Sequence, residues 1–101
     1  MAKINDTCRT MIDQIGGNKA CVMVGGSYTY DNENNQVTFK YKGSKHSNYM
    51  RMTYEAGLDL YTLQFIKIWG TKYTEKEEFT GVYNDMVKDI FESTTGLYLS
   101  L

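Results

Sequence analysis

The chain has 101 residues, a formal net charge of −1, 42% apolar and 23% charged residues, no proline and two cysteines. A chain of this length holds one domain, residues 1–101, around a single core, and its near-neutral charge creates no whole-molecule field for nucleic acid or a membrane surface. No apolar run approaches the ~20 residues of a membrane-spanning helix, and no apolar stretch follows Lys3 as it would in a signal peptide.

In chain order, Ile4, Cys8, Met11, Ile12 and Ile15 recur at helical spacing and predict a helix over residues 4–15. Asn5 or Asp6 caps its start, and Gly16-Gly17 ends it. Ala20-Cys-Val-Met-Val24 is a continuous apolar run too short for a helix and reads as a central strand, which Gly25-Gly26 bulges or bends before a strand over Ser27-Tyr-Thr-Tyr30. Asp31 to Asn35 is a turn. Val37, Phe39 and Tyr41 then alternate with Thr38, Lys40 and Lys42, a half-buried strand with one wet face.

Gly43 to Asn48 reads as a polar loop. Tyr49 to Tyr54 alternates again, with Met50, Met52 and Tyr54 opposite Tyr49, Arg51 and Thr53. Glu55-Ala-Gly57 turns the chain into a long strand over Leu58–Trp69, apolar on both faces, which Gly70 breaks. Thr71 to Phe79 is charged and reads as a solvated edge strand whose charges discourage pairing with other chains. The second helix is predicted from about Gly81 to Thr95, capped by Thr80, with Val82, Met86, Ile90 and Phe91 inward and Asn84, Asp85, Lys88, Asp89 and Glu92 in water. Gly96 stops it, and Leu97, Leu99 and Leu101 form a short strand-like tail returning to the sheet.

The fold class is therefore α+β: an N-terminal helix, an antiparallel sheet of about five strands, a C-terminal helix packed on the sheet, and the tail. Cys8 and Cys21 fall on buried faces and read as small core side chains in a reducing compartment, in preference to a disulfide.

The sequence offers little for catalysis or cofactors. One histidine and two distant cysteines match no zinc spacing, and Asp31-x-Glu33 lacks the ligand series of a calcium loop. There is no Gly-x-Ser-x-Gly elbow and no phosphate-binding loop. Asp85, Asp89 and Glu92 share a helical stripe that a solvated face also produces. No catalytic residue, metal or cofactor is expected, and the chain reads as a non-enzyme.

The remaining signal is charge segregation. Between Gln36 and Tyr54 there are four cations and no acid, whereas from Glu55 onward eight acids oppose four bases. Lys40, Lys42, Lys45, His46, Tyr49 and Arg51 lie on one strand–loop–strand unit, where cations beside rings suit a macromolecular partner. The nine tyrosines of the chain suit half-buried sheet faces and binding surfaces alike.

The segments Gly57-Leu-Asp-Leu-Tyr61, Ile68-Trp-Gly-Thr-Lys72, Val82-Tyr-Asn-Asp-Met86 and Thr95-Gly-Leu-Tyr-Leu-Ser-Leu101 resemble a group of small uncharacterised bacteriophage and prophage proteins. The likeness covers roughly residues 36–101. It implies phage origin and action in the host cytoplasm, and assigns no residue a role. With the charge pattern, it points to an accessory protein that binds and modulates a host or phage macromolecule, most readily a protein. A counter-defence inhibitor such as an anti-CRISPR is one concrete form. The alternatives are a single-stranded nucleic-acid-binding module on the basic unit and a minor virion or assembly protein. No membrane partner is expected, and exposed strand edges are compatible with a homodimer.

Overall fold

Asn5 starts the first helix by accepting the Cys8 amide on its Oδ1 at 2.7 Å, which satisfies one of the free N–H groups of the first turn. A computed structural model describes residues 3–99 and places this helix, α1, at Asp6–Ile15. Cys8, Met11 and Ile15 are buried on one face, as their spacing requires. The Asn5 amide also donates to Asn32 O at 3.2 Å and to Asn35 Oδ1 at 3.1 Å, so the same residue ties the helix to the turn of the first hairpin.

The next segment differs from the expected strand. Residues Gly17–Val24 form a second short helix, α2. Ala20 and Val24, four apart, are buried, whereas Val22 is 82% exposed. Five consecutive apolar residues do not distinguish a period of 2 from one of 3.6, and the glycine pairs decide the matter. Gly16 closes α1 with φ +130, and Gly25 takes the left-handed conformation at φ +59 and returns its N–H to Cys21 O. Gly26 is held for another reason: a Cβ there would lie 2.4 Å from Lys40 O and 2.8 Å from the Phe39 ring.

Five antiparallel strands follow in spatial order β1-β2-β3-β4-β5: β1 (Ser27–Asp31), β2 (Gln36–Lys40), β3 (Tyr49–Glu55), β4 (Leu60–Trp69) and β5 (Lys72–Val82). Each connects to its sequence neighbour, so no crossover is needed. The alternation read from the sequence holds. Val37, Phe39, Met50, Met52, Leu63 and Phe65 point to one face and are fully buried there. The acidic strand β5 forms one edge of the sheet, broken by register shifts opposite Tyr61/Leu63 and Phe65/Ile66, a bulged and charged edge of the kind that resists pairing with other chains.

The C-terminal helix is shorter than expected. Strand β5 continues through Gly81 to Val82, a one-turn 3₁₀ segment spans Asn84–Met86, and α3 covers only Val87–Thr95. Val82 is buried as a strand residue, and Met86 is 40% exposed, which overturns its inward assignment; Thr80 caps nothing because the chain is still a strand there. Phe91 is fully buried and sits between Phe39, Tyr41 and Phe65, with ring centroids at 5.7, 4.9 and 6.4 Å. Helices α1, α2 and α3 thus share one core with one face of the sheet.

Gly96 caps α3 in the left-handed conformation. The tail docks inside the molecule, though without strand geometry among the described residues: Leu99 is buried and its N–H donates to Glu92 Oε2 at 2.9 Å. Glu92 is therefore an anchor for the tail and not a purely solvated residue. Leu101 lies outside the described residues. Both cysteines are free thiols, and burial raises the pKa of each.

Phe91→Ala should cost about 3–5 kcal/mol, as truncation of a buried aromatic does. Met86→Asp, at an exposed site, should change stability by no more than about 0.5 kcal/mol. Denaturant melts of the two variants check this, and a Met86→Asp protein that unfolds would restore the longer helix.

Candidate functional site

The sheet has two unlike faces. One carries the core and all three helices. The other can be read row by row from the strand register: Ser27, Lys40, Tyr49, Ile66 and Glu75 in one row, then Thr29, Thr38, Arg51, Gln64 and Glu78 in the next. Hydroxyls, amides and charges dominate this open face. Ile66 is the exception at 1% exposure. Among the described residues no helix packs over it, and its row neighbours are Tyr49 and Glu75.

Three of the six residues expected to form a binding unit meet on this face. Lys40 stands opposite Tyr49, with its ammonium 5.9 Å from the ring centroid, an attractive cation–π placement. Arg51 follows two residues after Tyr49 on the same side, opposite Thr38. The face is also graded in charge: cations lie on β2 and β3, and Glu75 and Glu78 on β5.

The other three are not part of this cluster. Strand β2 ends at Lys40, and the Lys42 amide donates to Val24 O at 3.0 Å, at the end of α2. The Lys42 side chain borders a cleft lined by Met23, Gly25, Leu97 and Tyr98. Lys45 is exposed on the loop. His46 is engaged on both ring nitrogens: Nε2 lies 3.0 Å from Glu77 Oε1 on β5, and Nδ1 3.0 Å from Ser47 Oγ.

Far from being a loose polar connection, the loop between β2 and β3 is one of the most tightly bonded parts of the molecule. Ser44 Oγ donates to Thr95 O at 2.9 Å, binding the loop to the end of α3. Asn48 acts as a piece of strand: its Nδ2 donates to Ile68 O at 2.8 Å and its Oδ1 accepts from Ile68 N at 2.9 Å. Its main chain also receives the Tyr41 amide and donates to Ile66 O, both at 3.0 Å. One residue thereby satisfies main-chain groups of both neighbouring strands beyond the end of the regular ladder.

Glu77, His46 and Ser47 stand in the order carboxylate, imidazole, hydroxyl, as in a nucleophilic triad. Ser47, however, is 0% exposed, and its Oγ is already 2.5 Å from the Tyr41 hydroxyl. A substrate carbonyl cannot reach it. The row is instead a hydrogen-bond chain that runs inward from exposed Glu77 through His46 to the buried Ser47 and Tyr41 hydroxyls. With neutral His46 donating from Nε2 to Glu77, Tyr41 donates to Ser47 and Ser47 to Nδ1. With the imidazolium, Nδ1 donates to Ser47, Ser47 to Tyr41, and Tyr41 to Tyr49 O at 3.3 Å. Every hydroxyl keeps a partner in either state. Burial pushes the Tyr41 phenol up to about 12, against a smaller lowering by Ser47, so it remains a neutral donor. Among the described residues, no three of His, Cys, Asp and Glu gather as metal ligands would.

Asn48, Ser47, Tyr41 and Glu77 were not recognisable as a group in sequence, because their partnership depends on β5 lying across β4 from the loop. The unbroken polarity of residues 43–48 was the only local signal, and a solvated loop produces the same signal. No protein-family model, curated protein or solved structure matches this chain.

Asn48→Ala would strip Ile68 of both main-chain partners. It should cost about 1–3 kcal/mol and accelerate hydrogen exchange at the Ile68 amide while leaving the Phe65 amide protected. Native-state exchange measured by NMR distinguishes this from a general loss of stability.

Proposed function

We propose that this chain is a small non-enzymatic accessory protein of phage type, which binds a host or phage protein through its open sheet face and so blocks or modulates it. A counter-defence inhibitor such as an anti-CRISPR is the concrete form of this reading, in the host cytoplasm. The observation that carries it is the asymmetry of the sheet: α1, α2 and α3 pack on one face, and the other presents Lys40, Tyr49 and Arg51 beside Gln64, Glu75 and Glu78. A graded face of this kind sets partner orientation and rejects wrong partners by charge. The likeness of the C-terminal segments to phage proteins supports the biological setting.

A single-stranded nucleic acid fits this face less well. Lys42 borders a different cleft, His46 is bonded to Glu77, and two carboxylates stand on the same face. A virion or assembly role draws support only from the phage likeness.

Affinity capture from infected-cell lysate, with and without nuclease, tests the reading. A defined protein should be recovered in both samples. The Lys40→Glu/Arg51→Glu double variant should lose that protein while keeping the wild-type melt. Recovery that disappears with nuclease, or that survives the double variant, would remove the sheet face as the protein contact.

A further inference from the structure

The hairpin joining β4 to β5 carries a second surface, at the end of the sheet. Trp69 pairs with Lys72, so only Gly70 and Thr71 make the turn. Gly70 takes φ +62, and Thr71 is not among the residues with positive φ, the pattern of a tight primed hairpin turn with glycine first. Such a turn sets the backbone register of the residues that flank it.

Those side chains are unusual for an exposed tip. Trp69 is 75% exposed and Tyr73 54% exposed, and in the strand register they project from opposite sides of the hairpin. The Lys67 ammonium lies 6.0 Å from the Trp69 ring centroid, and Lys72 stands directly across from Trp69. Residues 67–74 contain two lysines and no acid, within the half of the chain where acids outnumber bases two to one. The nearest acids along β5 are already engaged: Glu75 accepts from Gln64 at 3.4 Å and Glu77 from His46. Lys45 adds a further exposed cation on the loop at this same end of the sheet. The apolar pattern of β4 runs on to Trp69, but the strand outruns the core that would cover it.

Exposed rings with ammonium groups beside them suit a flexible polyanion with flat bases. Bases stack on the ring whatever their identity, and phosphates meet the lysines. The carboxylates of an acidic protein surface would use the lysines but offer the indole face nothing to stack on, whereas a nucleotide carries phosphate and flat base together.

We propose that the β4–β5 hairpin tip binds single-stranded nucleic acid, with a base stacked on Trp69 and phosphates at Lys67 and Lys72. This surface is separate from the open face assigned to a protein partner. Together the two would suit a nucleoprotein target.

Trp69 is the only tryptophan in the chain, so its own fluorescence reports the contact. Titration of the full chain with a short oligothymidylate in low salt should quench the emission, and the quench should be reversed by added salt. Trp69→Ala should weaken binding of a labelled oligothymidylate, followed by anisotropy, roughly ten- to hundred-fold. Lys72→Gln should lower the slope of log K against log salt by about 0.7, the loss of one phosphate contact on a single strand. Because these side chains are exposed, the variants should melt like wild type. The Lys40→Glu/Arg51→Glu variant should still show the quench, which separates this surface from the sheet face. Three results would overturn the proposal: no quench in low salt, Trp69→Ala binding as tightly as wild type, or polyglutamate competing as well as the oligonucleotide at equal charge. The last would make the tip an acidic-protein surface.

Discussion

Phe91 is the side chain on which the arrangement of this molecule most depends. It stands on α3 and touches Phe39 and Tyr41 from the second strand side and Phe65 from β4. Phe65 in turn meets Phe79 of β5 edge-on at 5.9 Å, and Phe39 stacks on Tyr28 of β1 at 4.7 Å. A continuous set of rings thus runs from one edge of the sheet to the other with Phe91 above its middle. Aromatic contacts of this kind combine large buried area with preferred ring geometry. They bring α3 down beside α1 on one face, and among the described residues the other face of the sheet carries no helix.

The loop between β2 and β3 completes what the rings begin. Ser44 holds the Thr95 carbonyl at the end of α3, His46 reaches β5, and Asn48 substitutes for strand main chain against Ile68. A loop satisfied by so many different elements cannot swing freely, because any displacement would leave buried polar groups without partners. The consequence for binding is rigidity. Lys40, Tyr49 and Arg51 stand on strands bracketing a fixed loop, and the Trp69 hairpin begins where Asn48 pins β4. Surfaces preorganised in this way lose little ordering entropy when a partner arrives.

Charge is distributed along the strand direction as well as across the sheet. Lys40, Lys45, Lys67 and Lys72 lie toward the end holding the β2–β3 loop and the β4–β5 turn, with Glu75 and Glu77 of β5 among them, whereas Asp31, Glu33, Glu55 and Asp59 lie at the other end, with the remaining turns. A net charge of −1 conceals this separation. Such a distribution orients the molecule in the field of a charged partner before contact, and it turns the lysine-bearing end and its hairpin toward a polyanion.

The sequence by itself determined the five strands of the sheet and the first helix, though it also read a strand into residues 20–24. Val37, Phe39 and Tyr41, then Met50 and Met52, alternate cleanly, and Cys8, Met11 and Ile15 repeat at helical spacing, because each of these elements has one dry and one wet face and so writes its period into the chain. It also showed the basic stretch, of which Lys40, Tyr49 and Arg51 proved to be one cluster. Tertiary structure decided the rest. Residues 20–24 became a helix because glycine caps at both ends outweighed an apolar run too short to show a period. Met86 came to the surface because β5 ran on to Val82 and postponed the helix. Lys42 and His46 left the basic cluster because α2 and β5 lie on either side of the loop and engaged them. In each case the deciding partner is distant in sequence or belongs to a neighbouring element, and a local pattern carries no record of it.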